Sequence, residues 1–478
     1  MAYPEVIQYL ESFINYENIP AWSYEESLKL ERIMGFLARL DNPQDNLRCI
    51  HIAGTKGKGS TCAFCAYILR EAGYKTGLYT SPHLADFRER IRILDPRFQM
   101  PDSRLDFEGM ISEGELADLV ERLRPKIETY NKTSQYGPLS FFEVYTSLAF
   151  IYFKEKKVDL VVLETGLGGR LDATNVVYPL ISAITPISYE HTQKLGNTLR
   201  EIATEKAGII KGSPSTEFIP SEVEGLGTPF GRRISGYQAI VISAPQEKDV
   251  AEVIRNKCQE IGAKLYEVGT DITYQKKKEG FNVKGIMGEY KDLKIRLLGE
   301  HQIINATVAA SVIEALRRHN IKVGIDFIRA GLYNTVWPAR CEVISKDPLV
   351  ILDGAQNIAS SSVLKKAIRD NFSAEGGSAR GRGYKKLILV LGISNDKDIE
   401  GICKELYDLA DKVILTQADN PRASAPCDLA QYFKGKEVFI TSTVKEAKIK
   451  AREIVQKEGL ILVTGSLFVV GEFRNEKN

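Results

Sequence analysis

The sequence predicts an α/β protein of two domains, a phosphate-loop (P-loop-type) domain followed by a smaller doubly wound, Rossmann-like one. Three observations carry that expectation. Short apolar runs of strand length alternate with longer segments of helical spacing along the chain, the pattern of sheets covered by helices. The chain has 478 residues, too many for one ordinary hydrophobic core. The alternation then restarts after "VWPAR": "LVILDGA", "KLILVLGIS", "KVILTQA", "EVFITS" and "LILVTGS" are five strand-like runs with helical segments between them. That is enough for a complete small parallel sheet with helices on both faces. The boundary falls near Trp337–Val343, giving domains over 1–338 and 344–478.

Taken in order, "LRCIHIAG" reads as a strand entering a glycine-rich turn. "STCAFCAYILREAG" follows, apolar on one side at helical spacing and stopped by Gly73. "KTGLYTS" is the next strand, and "SFFEVYTSLAFIYFKEKK" a largely buried helix. "VDLVVLETG" is a continuous apolar strand that ends in an acid, and "LISAITPIS" is another strand. "LGEHQIINATVAASVIEALRRHN" is a long helix. Residues 212–238, rich in Gly, Pro and Ser, predict a surface loop with no catalytic part. Residues 373–386, "SAEGGSARGRGYKK", predict a flexible, solvated basic loop.

Composition narrows the function. Lys and Arg number 64 against 62 Asp and Glu, which gives no reason to expect a nucleic-acid or membrane partner. The start "MAYPEVIQYLESF" lacks a signal pattern, and no apolar run approaches the ~18 residues of a membrane span, so a cytoplasmic protein is expected. Seven cysteines, an odd count, argue against a complete disulfide framework. Cys62 and Cys65 form a C-x-x-C inside an apolar run and read as helix packing rather than redox or zinc chemistry.

The chemistry sits in two glycine-rich runs. "GTKGKGST", 54–61, resembles a phosphate loop, but Gly59 separates Lys58 from Ser60, where the usual loop has lysine directly before the hydroxyl residue. A strand, a glycine turn and a helix start together offer backbone N–H groups and a positive helix end to phosphate. Lys58 adds a point charge and Ser60 a hydroxyl for phosphate or Mg²⁺. Nucleotide loops also need an acid at the end of a neighbouring buried strand to hold metal, and "VDLVVLE" delivers Glu164 there. In the following "TGLGGRLDATN", Gly166, Gly168 and Gly169 would permit close approach to a ligand, with Asp172, Thr174 and Asn175 adding polar contacts.

Together these motifs resemble the folylpolyglutamate synthase and dihydrofolate synthase family, within the Mur-type ATP-dependent amide ligases, whose loop has lysine in this displaced position. The resemblance covers nearly the whole chain, through "GTKGKGST", "TSPHL", "RERI", "LETGLGGRLDATN", "EHT…LG", "EKAGI", "GEHQIINA", "WPAR", "DGAQN", "NPRA" and "TGSLFVVGE" in that order. It implies ATP held by Gly54, Thr55, Gly57, Lys58, Gly59 and Ser60, with Gln302, Asn305, Arg340 and Asp353 completing the nucleotide site between the domains. It implies two Mg²⁺ ions, one held through Ser60, Ser81 and Glu164, a second through His191 and a carbamylated Lys206. Ser140, Phe142, Asp172 and Ala173 are implied to bind the pterin. The implied reaction joins L-glutamate to a folate or dihydropteroate carboxylate through an acyl phosphate, with Lys58, Glu164, His191, Lys206 and Arg340 as the catalytic set and no serine or cysteine nucleophile. A monomer is the family expectation.

Three departures stand out. Glu190-His191 replaces the family's Asp-His, Gln356 of "DGAQN" replaces a histidine, and 212–238 looks like an insertion. A peptidoglycan Mur ligase is disfavoured because only 53 residues precede Gly54, too few for a separate nucleotide-sugar domain. A regulatory P-loop NTPase is disfavoured because "NKxD" is absent and the second domain would lack a purpose. Within the family a bifunctional dihydrofolate and folylpolyglutamate synthase is expected, with a monofunctional folylpolyglutamate synthase as the alternative.

Overall fold

The structure, a computed structural model, describes residues 1–17, 19, 22–97, 107–212, 238–372, 384–455 and 459–475. Nearly all of the 212–238 insertion and most of the 373–386 stretch lie outside the described residues.

Two mainly parallel sheets dominate. The first has seven strands: β1 (Cys49–Ala53), β2 (Thr76–Tyr79), β3 (Ile91–Leu94), β4 (Leu160–Glu164), β5 (Ile181–Ile184), β6 (Ile240–Ser243) and β7 (Lys264–Glu267). Their spatial order is β3-β2-β4-β1-β5-β6-β7. Only β3 runs antiparallel, against β2. Every residue of β1, β4 and β5 is buried, which is why these strands read as unbroken apolar runs rather than alternating ones. β1 and β4 are neighbours in register, with Ile52 opposite Glu164. Their carboxyl ends therefore open side by side, the position where open α/β sheets take ligands. The glycine loop leaves one of these ends and Glu164 closes the other.

The helix after the glycine loop, Lys58–Glu71, packs on the long helix Glu300–Ala315 and on Ile325–Asn334. Helix Glu300–Ala315 is buried on nearly all sides, as its apolar sequence predicts. Its Glu314 carboxylate accepts from Ile286 N at 2.6 Å and Met287 N at 2.9 Å. Those bonds pin a small antiparallel sheet of β8 (Thr273–Lys276), β9 (Phe281–Lys284) and β10 (Glu289–Leu293).

The second large sheet has six strands: β11 (Glu342–Lys346), β12 (Leu349–Leu352), β13 (Lys386–Leu391), β14 (Lys412–Leu415), β15 (Glu437–Ile440) and β16 (Gly459–Thr464), in the order β11-β12-β16-β13-β14-β15. The five apolar runs of the sequence are β12 to β16. The sixth strand, β11, is an addition to that reading. It is an antiparallel edge strand, only partly buried, so "EVISK" carries no apolar run to announce it. The strands of the small sheet went unannounced for the same reason: apart from Phe281, Val283, Tyr290 and Leu293, their residues face at least partly outward.

The two large sheets meet along the glycine-loop side of the first. Helix Leu467–Asn475 packs on the "TSPHL" segment so tightly that a Cβ on Gly471 would lie 2.2 Å from Leu84 O. The Asn357 side chain donates to Glu190 Oε1 at 3.1 Å across the same junction. Among the described residues no helix is long and apolar enough to cross a membrane.

Candidate active site

The glycine loop is clamped from both sides. Gly57 has φ +84°, and a Cβ there would lie 2.2 Å from Asn305 Oδ1. Gly54 has φ +150°, and its Cβ would fall 1.9 Å from Thr185 Oγ1. Thr55 N and Lys56 N both donate to Pro186 O, so the end of β5 holds the loop's backbone. Asn305 Nδ2 donates to Gln302 Oε1 at 3.0 Å, which fixes the amide facing Gly57. The loop helix starts at Lys58 with no side-chain cap, leaving its first amides for a ligand. Ser60 is buried in that first turn.

Two lysines converge on one carbonyl. Lys58 Nζ donates to Gly54 O at 3.2 Å and Lys206 Nζ to the same oxygen at 2.8 Å. Burial, with Lys58 close by, lowers the Lys206 pKa to about 7. Glu164 is buried, and its Oε2 accepts from Ser81 N at 3.2 Å. Burial raises its pKa, opposed by the charge of Lys58, the Ser81 amide and Arg340. Glu190 would also be raised by burial, but His191, Lys58, Lys206 and Lys397 together outweigh that and lower it. His191 sits at φ +51° ahead of the short helix Thr192–Leu195. Its ring is reachable by solvent, yet desolvation by the surrounding walls and the cations Lys397, Lys206 and Lys194 outweigh Glu190 and hold it neutral, with a pKa of about 4. The structure therefore gathers Lys58, Ser60, Ser81, Glu164, Lys206 and His191 around the ends of β1, β4 and β5.

The second sheet contributes through the linker. Ala339 and Cys341 have φ +58° and +49°, and Arg340 between them donates from Nη1 to Ala339 O at 2.9 Å. Asp353 Oδ2 accepts from Cys341 N at 2.8 Å and Oδ1 from Ala355 N at 2.9 Å. Both oxygens of this acid are thus engaged with backbone, so it shapes the linker beside Arg340. At Gln356 the backbone N–H is capped by Ser360 Oγ at 3.1 Å.

The expected pterin residues surround the second glycine turn. Phe142 is half-buried, and a Cβ on Gly166 would lie 2.7 Å from its ring. Ala173 is buried beside this turn. Ser140 caps the helix Phe141–Glu155, its hydroxyl donating to Glu143 Oε2 at 2.7 Å, and Glu143 pairs with buried Arg32 at 2.8 Å. Asp172 accepts from Gly166 N at 2.9 Å, Leu167 N at 2.8 Å and Thr174 N at 3.0 Å. Its carboxylate ties the turn into shape, and burial raises its pKa against those bonds.

Beneath this turn lies a residue that sequence reasoning passed over. His51, fully buried in β1, meets Thr174 Oγ1 at 2.8 Å through Nε2. The single Thr174 hydroxyl proton is given to Asp172 Oδ1 at 2.5 Å, so the Nε2 of His51 carries the hydrogen. A histidine inside an apolar run was the available signal. Burial lowers its pKa from 6.5 to about 3. The unfolded chain binds a proton at His51 below about pH 6.5, and the folded chain refuses it until about pH 3. Stability from this group is therefore lost as pH falls through that window, with a slope of at most about 1.4 kcal/mol per pH unit. His51→Gln is expected to flatten the loss, measured as urea midpoints between neutral and acidic pH. An unchanged pH profile in the variant would contradict the assignment.

The "TSPHL" and "RERI" segments are tied together near the site. Fully buried Arg90 donates from Nε to His83 Nδ1 at 2.9 Å and pairs with Glu17 at 2.6 Å, joining the N-terminal segment to the ligand-facing side.

Comparison with known proteins agrees with this geometry. Residues 124–313 match the Mur ligase middle domain, and residues 339–467 match the Mur ligase glutamate ligase domain. The chain is 33% identical over 451 residues to a dihydrofolate synthase/folylpolyglutamate synthase of Bacillus subtilis, covering 93% of this chain and 94% of that one. Among solved structures, Mycobacterium tuberculosis folylpolyglutamate synthase complexed with ADP superposes with a TM-score of 0.82 at 28% identity, covering 100% of this chain and 99% of that one. Escherichia coli FolC in complex with DHPP and ADP gives a TM-score of 0.77 at 27% identity, covering 99% and 96%.

Proposed function

Because the chain belongs to the dihydrofolate synthase/folylpolyglutamate synthase family of Mur-type ligases, we propose that it joins L-glutamate to the carboxylate of a folate or dihydropteroate at the expense of ATP. One observation carries the reading: a glycine loop and a buried carboxylate stand at the adjacent ends of β1 and β4, with the Phe142 turn beside them. A nucleotide and a flat heterocycle then reach one another across the sheet edge.

A carboxylate does not condense with an amine at neutral pH, because its oxygen is a poor leaving group. Transfer of the γ-phosphoryl group makes that oxygen part of an acyl phosphate, the glutamate amine attacks the acyl carbon, and phosphate departs with the C–O bond electrons. In this chain the loop amides and Lys58 cradle the phosphates, and Arg340 approaches from the linker to neutralise charge. Asn305 and Gln302 keep Gly57 in its left-handed turn. Among the described residues no cluster of three or more His, Cys, Asp or Glu could hold a metal by itself. A buried carboxylate and two serine hydroxyls suit Mg²⁺, which binds through few protein oxygens and shares phosphate oxygens and water. Ser60, Ser81 and Glu164 would hold one ion and His191 with a carbamylated Lys206 the second, and bound Mg²⁺ would supply electrostatic stabilisation to the transferring phosphoryl group. Carbamylation of Lys206 belongs to the same proposal. With a pKa of about 7 the residue presents neutral amine near pH 7, the form that reacts with CO₂. Asp172 acts by shaping the glycine turn, and Ser140 by fixing the helix that carries Phe142. The division into units of 1–338 and 344–478, a monomeric state and a cytoplasmic location complete the reading.

The experiment that tests it offers purified protein dihydropteroate and tetrahydrofolate separately, each with ATP, Mg²⁺ and labelled glutamate. A bifunctional enzyme incorporates label into both, and incorporation into neither would overturn the assignment. Phe142→Ala is expected to raise the KM for the pteroate substrate by about tenfold, the loss of one partly buried ring. The KM for ATP should stay within about twofold, and an equal rise in both would contradict the placement of Phe142.

A further inference from the structure

The extra glycine that displaces lysine in the phosphate loop has a structural counterpart. A Cβ on Gly59 would lie 3.0 Å from Cζ2, 3.1 Å from Nε1 and 3.2 Å from Cε2 of the Trp337 indole. That is closer than an unstrained contact allows. The indole has little room to withdraw, being only 8% exposed. Arg92 lies 5.8 Å from its ring centroid and 5.3 Å from that of Phe107. Phe107 meets the indole edge-on, at 87° with centroids 6.1 Å apart. Arg92 is itself fully buried and fixed by a 2.7 Å bond from Nε to Glu108 O.

The chain leading to Trp337 is tied to the same helix. Helix Ile325–Asn334 crosses the loop helix so closely that a Cβ on Gly331 would sit 2.3 Å from Ile68 Cα. At its end Asn334 Nδ2 donates to Glu71 Oε1 at 3.2 Å. Directly beyond Trp337 comes the turn that presents Arg340, with Ala339 at φ +58°.

We infer that Trp337 is a positioning residue for the phosphate site. Its indole edge, backed by Arg92 and Phe107, seats on Gly59 and fixes the first turn of the loop helix, and with it the places of Lys58 and Ser60. A Cβ between those two residues would press on the indole, which would have to give by a few tenths of an ångström. The same residue couples the loop to the Arg340 linker. This inference rests on the nucleotide-binding reading of the loop.

A double-mutant cycle tests it, with ADP affinity measured by calorimetry and steady-state KM measured for ATP and for the pteroate substrate. Gly59→Ala is expected to weaken ADP binding by about tenfold while Trp337 is present. Trp337→Phe removes the outer half of the indole, with Cζ2, the atom nearest Gly59, but keeps a ring for Arg92 and Phe107. Alone it should raise the ATP KM by about threefold or more and leave the pteroate KM unchanged. In the double variant the cost of Gly59→Ala should be clearly smaller, because the closest contact is gone. Equal costs of Gly59→Ala in both backgrounds would overturn the clamp, as would Trp337→Phe raising both KM values alike or neither. The single Trp337→Phe measurement decides the matter if Gly59→Ala does not fold. A wild-type protein that binds no ADP would overturn the nucleotide reading and the clamp together.

Discussion

Glu164→Gln is expected to lower the rate of ligation on the order of 10³-fold while leaving the protein as stable as the wild type. The substitution keeps the size of the side chain and an oxygen for the Ser81 amide, now 3.2 Å from Oε2. It removes only charge. That charge is held at a cost, since burial raises the Glu164 pKa against the pull of Lys58, the Ser81 amide and Arg340. A buried carboxylate kept next to cations that only partly offset its desolvation is a poor device for stability and a good one for a divalent cation. The melting temperature of the ligand-free variant should therefore match or exceed that of the wild type. Mg²⁺-dependent tightening of nucleotide binding should disappear. A variant that keeps near wild-type turnover would remove Glu164 from the metal site.

Lys206→Met is expected to lower kcat by about 10²-fold or more, with nucleotide still bound. Methionine fills the buried volume, and Gly54 O keeps its bond from Lys58 at 3.2 Å. Any loss then reports on the lysine's head group rather than on the loop. The head group's pKa of about 7 makes a second observation possible. The wild-type rate should fall in buffer stripped of CO₂ and recover on adding bicarbonate, and the variant should respond to neither. A wild-type rate indifferent to CO₂ would contradict carbamylation while leaving the phosphate site intact.

What the sequence made legible was what local pattern encodes. The loop at 54–60 could be read because strand, glycines, lysine and serine are contiguous. Glu164 could be read because an acid ends an apolar run, and β4 proves fully buried, as that pattern requires. Partners from distant parts of the chain could not be read. Nothing in "WPAR" says that its tryptophan rests on Gly59, a contact between residues far apart in the chain. Nothing in "DGAQN" says that both oxygens of Asp353 are taken by the amides of Cys341 and Ala355. Ser140 and Asp172, by contrast, make local bonds, to Glu143 and to the amides of Gly166, Leu167 and Thr174, all within six residues. Edge strand β11 was invisible because a half-exposed strand needs no apolar run.

The central claim is that ATP activates the substrate carboxylate by phosphorylating it. Pteroate substrate carrying oxygen-18 in that carboxylate, turned over with ATP and glutamate, tests this most directly. The account predicts that one labelled oxygen is transferred to the released inorganic phosphate with each amide bond formed. Phosphate free of the label, with amide still produced, would contradict it.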